Sequence, residues 1–178
     1  MELGSPTMLE IFVPRMYKKD IFSINYSLLK EKGIDILIFD LDNTISFIDE
    51  KIPSLEVQKI INDLSKKFTI IIASNNTYNR VKIFCKNLNC DFIASSLKPF
   101  KKVARIVKKK YSIPLSKVAI VGDQLVTDIF LGNRTGMYTI LVDPKGIKDL
   151  KVTNFNRFIE KHIKNGINFK KGVYYEKK

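Results

Sequence analysis

"IDILIFDLDNTISF" occupies residues 34–47. Its first part, Ile36 to Phe39, has the continuous apolar pattern of a strand buried on both faces. The pattern stops at Asp40, and Asp42 follows two residues later. A buried strand ending on two carboxylates acts as a rigid post that holds them at the edge of a sheet.

Similar short apolar runs recur, and the five predicted strands cover residues 35–40, 68–73, 91–95, 117–121 and 137–142. Helical patterns fall between them at about 54–66, 77–88, 99–110 and 124–133. Regular alternation of strand and helix predicts a parallel sheet covered on both faces. Ligands of such sheets bind beyond the carboxyl ends of the strands, near the point where strand order reverses. The residues to weigh are therefore those that follow each strand: Asp40 to Thr44, then Ser74, Asn75 and Asn76, then Lys98, then Gly122 and Asp123 with Asp128.

Composition narrows the classes. The 178 residues are 45% apolar and 28% charged, as in a globular domain with its own core. Apolar runs reach only about four or five residues, against the roughly 20 that a membrane-spanning helix needs. No signal-peptide pattern opens the chain, which predicts a cytoplasmic protein. Residues 1–7, "MELGSPT", read as a cloning remnant, and residues 8–178 as one domain with a basic C-terminal tail. Cys85 and Cys90 read as reduced thiols, and the single histidine, His162, leaves little from which to build a zinc site or a Ser-His-Asp mechanism. Net charge is +13, with basic clusters at 101–110 and from Lys151 onward. That excess favours an anionic partner: nucleic acid, an anionic membrane or a phosphorylated substrate. A solvated helix face and tail accounts for the clusters equally well.

Carboxylates brought together repel one another unless a cation offsets them. Oxygen ligands without a nearby histidine suit Mg²⁺, which also pairs with phosphate. A carboxylate can attack phosphorus, with Lys98 and Ser74 holding the phosphoryl oxygens as charge develops. Lys98 precedes Pro99, which predicts a lysine at a helix N-terminus, where backbone N–H groups favour an anion. A calcium loop starting at Asp40 is excluded, because its sixth and twelfth positions need Gly and Glu but hold Ile45 and Lys51.

At these residues the chain resembles the haloacid dehalogenase (HAD) superfamily of phosphatases. Its motifs stand as "FDLDNT" (39–44), "IASN" (72–75), "KP" (98–99) and "GDQLVTD" (122–128). The stretches "PRMYKKDIFSINYSLLKEKGI" (14–34), "SNNTYNRVKIF" (74–84) and "GDQLVTDIFLGNRTGMYTILVDP" (122–144) resemble the YqeG-type phosphatases within it. The resemblance implies a Rossmann-like three-layer α/β sandwich on a mostly parallel five-stranded sheet. It implies Asp40 as nucleophile and metal ligand. Asp42 would be the general acid and base, binding Mg²⁺ through its backbone carbonyl. Asp123 would be a further ligand with Asp128 behind it, and Ser74, Asn75 and Lys98 would bind the phosphoryl group.

Only 29 residues separate Thr44 from Ser74 and 22 separate Asn75 from Lys98, so no cap domain fits and residues 45–52 offer only a small flap. An open site suits a phosphate carried on something large. YqeG-type proteins also look related to mitochondrial phosphatidylglycerophosphate phosphatases, which points to a lipid headgroup. The stretch from Met8 to Lys30 mixes apolar residues with Arg15, Lys18, Lys19 and Lys30, a composition that suits peripheral contact with an anionic membrane. The same stretch could instead pack as a first helix on the sheet. Two other functions stay open on the sequence: a cytosolic HAD phosphatase acting on a soluble phosphate ester, and a basic RNA- or ribosome-associated protein with a vestigial site. Nucleic acid ranks lower, since no aromatics alternate with the basic run as single-strand binders prefer.

Overall fold

The computed structural model describes residues 8–146, and the basic stretch from Lys151 onward lies outside them, as do residues 1–7. The five expected strands are present as β2 (Ile36–Phe39), β3 (Thr69–Ala73), β4 (Asp91–Ile93), β5 (Val118–Gly122) and β6 (Tyr138–Val142). A sixth, β1 (Met16–Lys18), joins them, and the order across the sheet is β1-β6-β5-β2-β3-β4. All five pairings are parallel. The sixth strand corrects the expected five. It was hidden because three residues with one basic side chain carry too little periodicity to read as a strand.

Strand residues alternate between two cores. Leu37, Phe39, Ile70, Ile72, Ala119 and Val121 pack with Val57 and Ile61 of α2 (Leu55–Leu64) and Val81 and Phe84 of α3 (Tyr78–Cys85). Ile36, Ile38, Ile71, Val118 and Ile120 turn to the other face, against Val103 and Val107 of α4 (Lys102–Tyr111) and Leu131 of α5 (Phe130–Thr135). The result is the expected three-layer sandwich. Burying each large aliphatic side chain contributes about 1.5–3 kcal/mol, so both faces anchor β2 firmly.

The N-terminal stretch serves the fold. Met16, Ile21, Ile24 and Leu29 are buried in the first core, the last of them on α1 (Tyr26–Glu31). Phe12 stacks on Phe130 at 5.1 Å. The apolar side chains whose composition suits a membrane interface are thus largely spent inside the protein, and the packing is through a strand and several turns rather than one first helix.

The chain leaves β2 for β3 and β4 on one side and returns to β5 on the other. Strand order therefore reverses between β2 and β5, where Phe39 pairs with Val121. This reversal sets the residues after both strands side by side. Residues 40–54 between β2 and α2 form turns too short for a cap. No helix among the described residues is long and apolar enough to cross a membrane.

Candidate active site

Asp40 follows β2 directly, and its N–H donates to the Val121 carbonyl at 2.9 Å, extending the sheet by one bond. Asp123 follows β5. The Thr44 hydroxyl lies between the two, 3.3 Å from Asp40 Oδ2 and 3.1 Å from Asp123 Oδ1. Asp128 reaches the same place from a π-helical turn, Leu125–Ile129, that leads into α5. Its Oδ2 accepts from the Thr127 hydroxyl at 3.1 Å and the Gln124 N–H at 3.4 Å. Gly122 makes this approach sterically feasible. A Cβ there would stand 2.2 Å from the Asp128 Cγ, well inside contact distance.

Lys98 closes the cluster. Its Nζ donates to Asp40 Oδ1 at 2.5 Å and to Asp128 Oδ1 at 2.7 Å. The expected helix N-terminus is corrected: α4 begins only at Lys102, and Lys98 stands in the loop before it, with a cis bond to Pro99. Asn75 holds that loop. Its Oδ1 accepts from Lys98 N at 2.8 Å and the Ser96 hydroxyl at 2.7 Å, while its Nδ2 donates to the Lys98 carbonyl at 3.0 Å. Lys98 is therefore positioned by a side-chain amide from the neighbouring strand end, not by a helix.

Ligand oxygens of Asp40, Asp123 and Asp128 lie within 4.8 Å of one another, and all three residues are buried. One buried ammonium faces three buried carboxyl groups. Burial, then the charges of Asp128 and Asp123, push the Asp40 carboxyl well above its ordinary range, against the pull of Lys98. Burial alone would lower the Lys98 ammonium, but Asp128 and Asp40 outweigh it and hold the proton more tightly than usual. The donor set is all oxygen and short of positive charge, which fits a hard divalent cation such as Mg²⁺.

Asp42 belongs to a separate group. Its Oδ1 accepts from Arg80 Nη2 at 3.1 Å, and its Oδ2 from Asn76 Nδ2 at 3.3 Å and the Ser74 hydroxyl at 3.4 Å. The structure thus brings together Asp40, Lys98, Asp123 and Asp128, and places Asp42 beside Ser74 across from them. Arg80, Asn76 and Thr44 complete the site without having been assigned a role from the sequence. Arg80 also reaches the carbonyls of Phe47 and Ile48 at 3.5 and 3.4 Å, tying the turn after β2 to α3. Among the described residues, the turns of residues 40–54 are too short to form a cap over the carboxylates. A surface groove of about 710 Å³, lined by Tyr26, Lys30, Leu64, Lys67 and Phe68, lies away from them.

Residues 97–155 match the HAD-hydrolase-like family model. The Bacillus subtilis (strain 168) protein named "Probable phosphatase YqeG" is 32% identical over 168 residues, 94% of this chain and 98% of its own length. Phosphatidylglycerophosphate phosphatase 1 of Arabidopsis thaliana (chloroplastic/mitochondrial) is 23% identical over 175 residues, covering 87% of this chain and half of that protein. A HAD family enzyme from Bacteroides thetaiotaomicron, in its magnesium complex, shares the fold at 13% identity and a TM-score of 0.51, over 68% of this chain and 98% of its own. The chain belongs to the YqeG family of HAD-superfamily phosphatases.

Proposed function

We propose that this protein is a Mg²⁺-dependent phosphomonoesterase that works through an aspartyl-phosphate and acts on phosphatidylglycerophosphate. The observation that carries the reading is the group of three buried carboxyl groups offset by a single buried lysine. Asp40 and Asp123, with the backbone carbonyl of Asp42 and with Asp128 behind them, would hold the ion, which when bound would offset the carboxylates and the phosphoryl oxygens. In this reading a carboxylate oxygen of Asp40 attacks phosphorus and the ester P–O bond breaks. Asp42 gives its proton to the leaving oxygen, then takes one from the water that attacks the aspartyl-phosphate, releasing inorganic phosphate. Ser74 and Lys98 bind phosphoryl oxygens, and Asn75 keeps Lys98 in place.

The lipid substrate has two supports. The Arabidopsis relative is named for phosphatidylglycerophosphate. The open site, on a chain of net charge +13, would reach a headgroup phosphate without drawing the lipid out of its bilayer. The protein would then be cytoplasmic and meet the membrane peripherally. Phosphate release from phosphatidylglycerophosphate in anionic vesicles, compared with release from sugar phosphates and nucleotides, tests the substrate. The lipid is expected to give the highest kcat/KM. A soluble ester that exceeds it by orders of magnitude would leave a general phosphatase instead.

A further inference from the structure

Large apolar side chains left in solvent are unevenly placed. Of the eight among the described residues, six are Phe47, Ile52, Leu55, Tyr78, Leu97 and Phe100. In a parallel sheet, the loop after each strand and the N-terminal end of the next helix lie at one edge. Phe47 and Ile52 stand in the turns after β2, and Leu55 is the first residue of α2. Tyr78 is the first residue of α3, resting on Phe92 at 5.5 Å, and Leu97 and Phe100 flank Lys98. All six are therefore at the edge that carries Asp40 and Asp123. Only Phe22 and Ile83 are elsewhere.

Lysines stand among these apolar residues. Lys51, Lys101, Lys102 and Lys145 share the edge with them, and Lys145 Nζ lies 5.7 Å from the centre of the Phe47 ring. Of the acidic residues there, Glu50 is occupied internally, accepting from the Ser46 hydroxyl at 3.0 Å and the Phe47 N–H at 2.9 Å. Outside the carboxylate group of the site, Asp49, Glu56 and Asp143 are the others, so lysines and acidic residues are about equal in number around the rim. Exposed apolar residues interspersed with lysines form the surface chemistry that inserts at a bilayer interface while its cations meet anionic headgroups.

We infer that the rim of the active site, led by Ile52, Leu55 and Phe100, is the face with which this protein docks on an anionic lipid bilayer. The inference rests on the lipid-phosphate reading above and gives it an orientation: the catalytic edge faces the membrane. It also moves the contact away from the N-terminal stretch, where Met16, Ile21, Ile24 and Leu29 are buried and Phe22 alone of the large apolar residues described there is exposed.

The test uses the full-length protein with Ile52→Ser, Leu55→Ser and Phe100→Ser combined. These side chains are 64%, 82% and 68% exposed, so the fold loses little by the change. A control combines Phe22→Ser and Ile83→Ser. Binding to vesicles of phosphatidylglycerol and phosphatidylcholine is measured by flotation at low salt, beside hydrolysis of a soluble aryl phosphate. The rim variant is expected to lose vesicle binding by about tenfold or more while keeping aryl phosphate hydrolysis within about twofold, and the control to bind as the unaltered protein does. Equal binding by the rim variant, or equal loss in the control, overturns the inference. So does an unaltered protein that ignores these vesicles, or a rim variant that loses only self-association, which would assign the face to a second copy. If the unaltered protein prefers a soluble ester yet the rim variant still loses vesicle binding, the substrate reading fails and the docking face stands.

Discussion

Asp42 and Asp123 stand within a few residues of adjacent strand ends, yet their surroundings separate their roles. Asp123 shares the buried group with Asp40 and Asp128, whereas Asp42 is held by Arg80, Asn76 and Ser74. Asp123→Asn is therefore expected to weaken Mg²⁺ binding strongly. Asp42→Asn should leave it largely intact while lowering turnover by a factor on the order of 10² or more. Calorimetric Mg²⁺ titration of both variants distinguishes the roles, and equal losses of affinity would show the assignment to be wrong. Asp40 adds a pH dependence. Its carboxyl titrates above the ordinary range, so folding retains a proton that the unfolded chain has released, and ion-free stability falls as pH rises toward the raised value. Mg²⁺ binding needs the ionised form, so the rise in Tm that it produces should grow from pH 6 to pH 8. A Tm shift that shrinks over that range would contradict the assignment. Asp40 and Asp123 were legible in the sequence because each directly ends an apolar run, whereas Lys98 and Asp128 stand further along and were marked by the motifs "KP" and "GDQLVTD". Arg80 was not legible, since an arginine six residues past Ser74 on a helix looks like any solvated charge until the turn after β2 folds against it.

At the scale of elements, the end of β5 and the π-helical turn after it form one device. Gly122 closes the strand, and Asp128 folds back against it to meet Lys98. Gly122→Ala should drive Asp128 off its position, destabilising the fold by about 1–3 kcal/mol and weakening the Lys98 contact. Urea unfolding and Mg²⁺ titration of this variant measure the two effects, and unchanged values for both would remove the steric argument. The strands buried on both faces were read to within two residues at each end, because their apolar runs leave no alternative. β1 was missed for the opposite reason: at three residues it is fixed by pairing with β6, a tertiary contact rather than a local pattern. The entry to α4 was misplaced because Pro99 is an equally good residue for a helix start and for a turn, and here the Asn75 clamp selects the turn.

The molecule as a whole divides its charge in a way that composition could not show. α4 buries Val103, Ala104 and Val107, and its Lys108, Lys109 and Lys110 gather at the C-terminal end, where cations suit the helix dipole. Lys110 pairs there with Asp91 at 2.8 Å. Most of that basic run is thus a solvated helix end, and only Lys101 and Lys102 stand at the catalytic edge. What remains there is a carboxylate group with too little positive charge of its own. The most direct test follows phosphate release from an aryl phosphate as Mg²⁺ is titrated, for the unaltered protein and for Asp40→Asn. Release that rises with Mg²⁺, vanishes in excess chelator and is lost in Asp40→Asn is the expected result. Full activity in chelator, or in Asp40→Asn, would contradict the account.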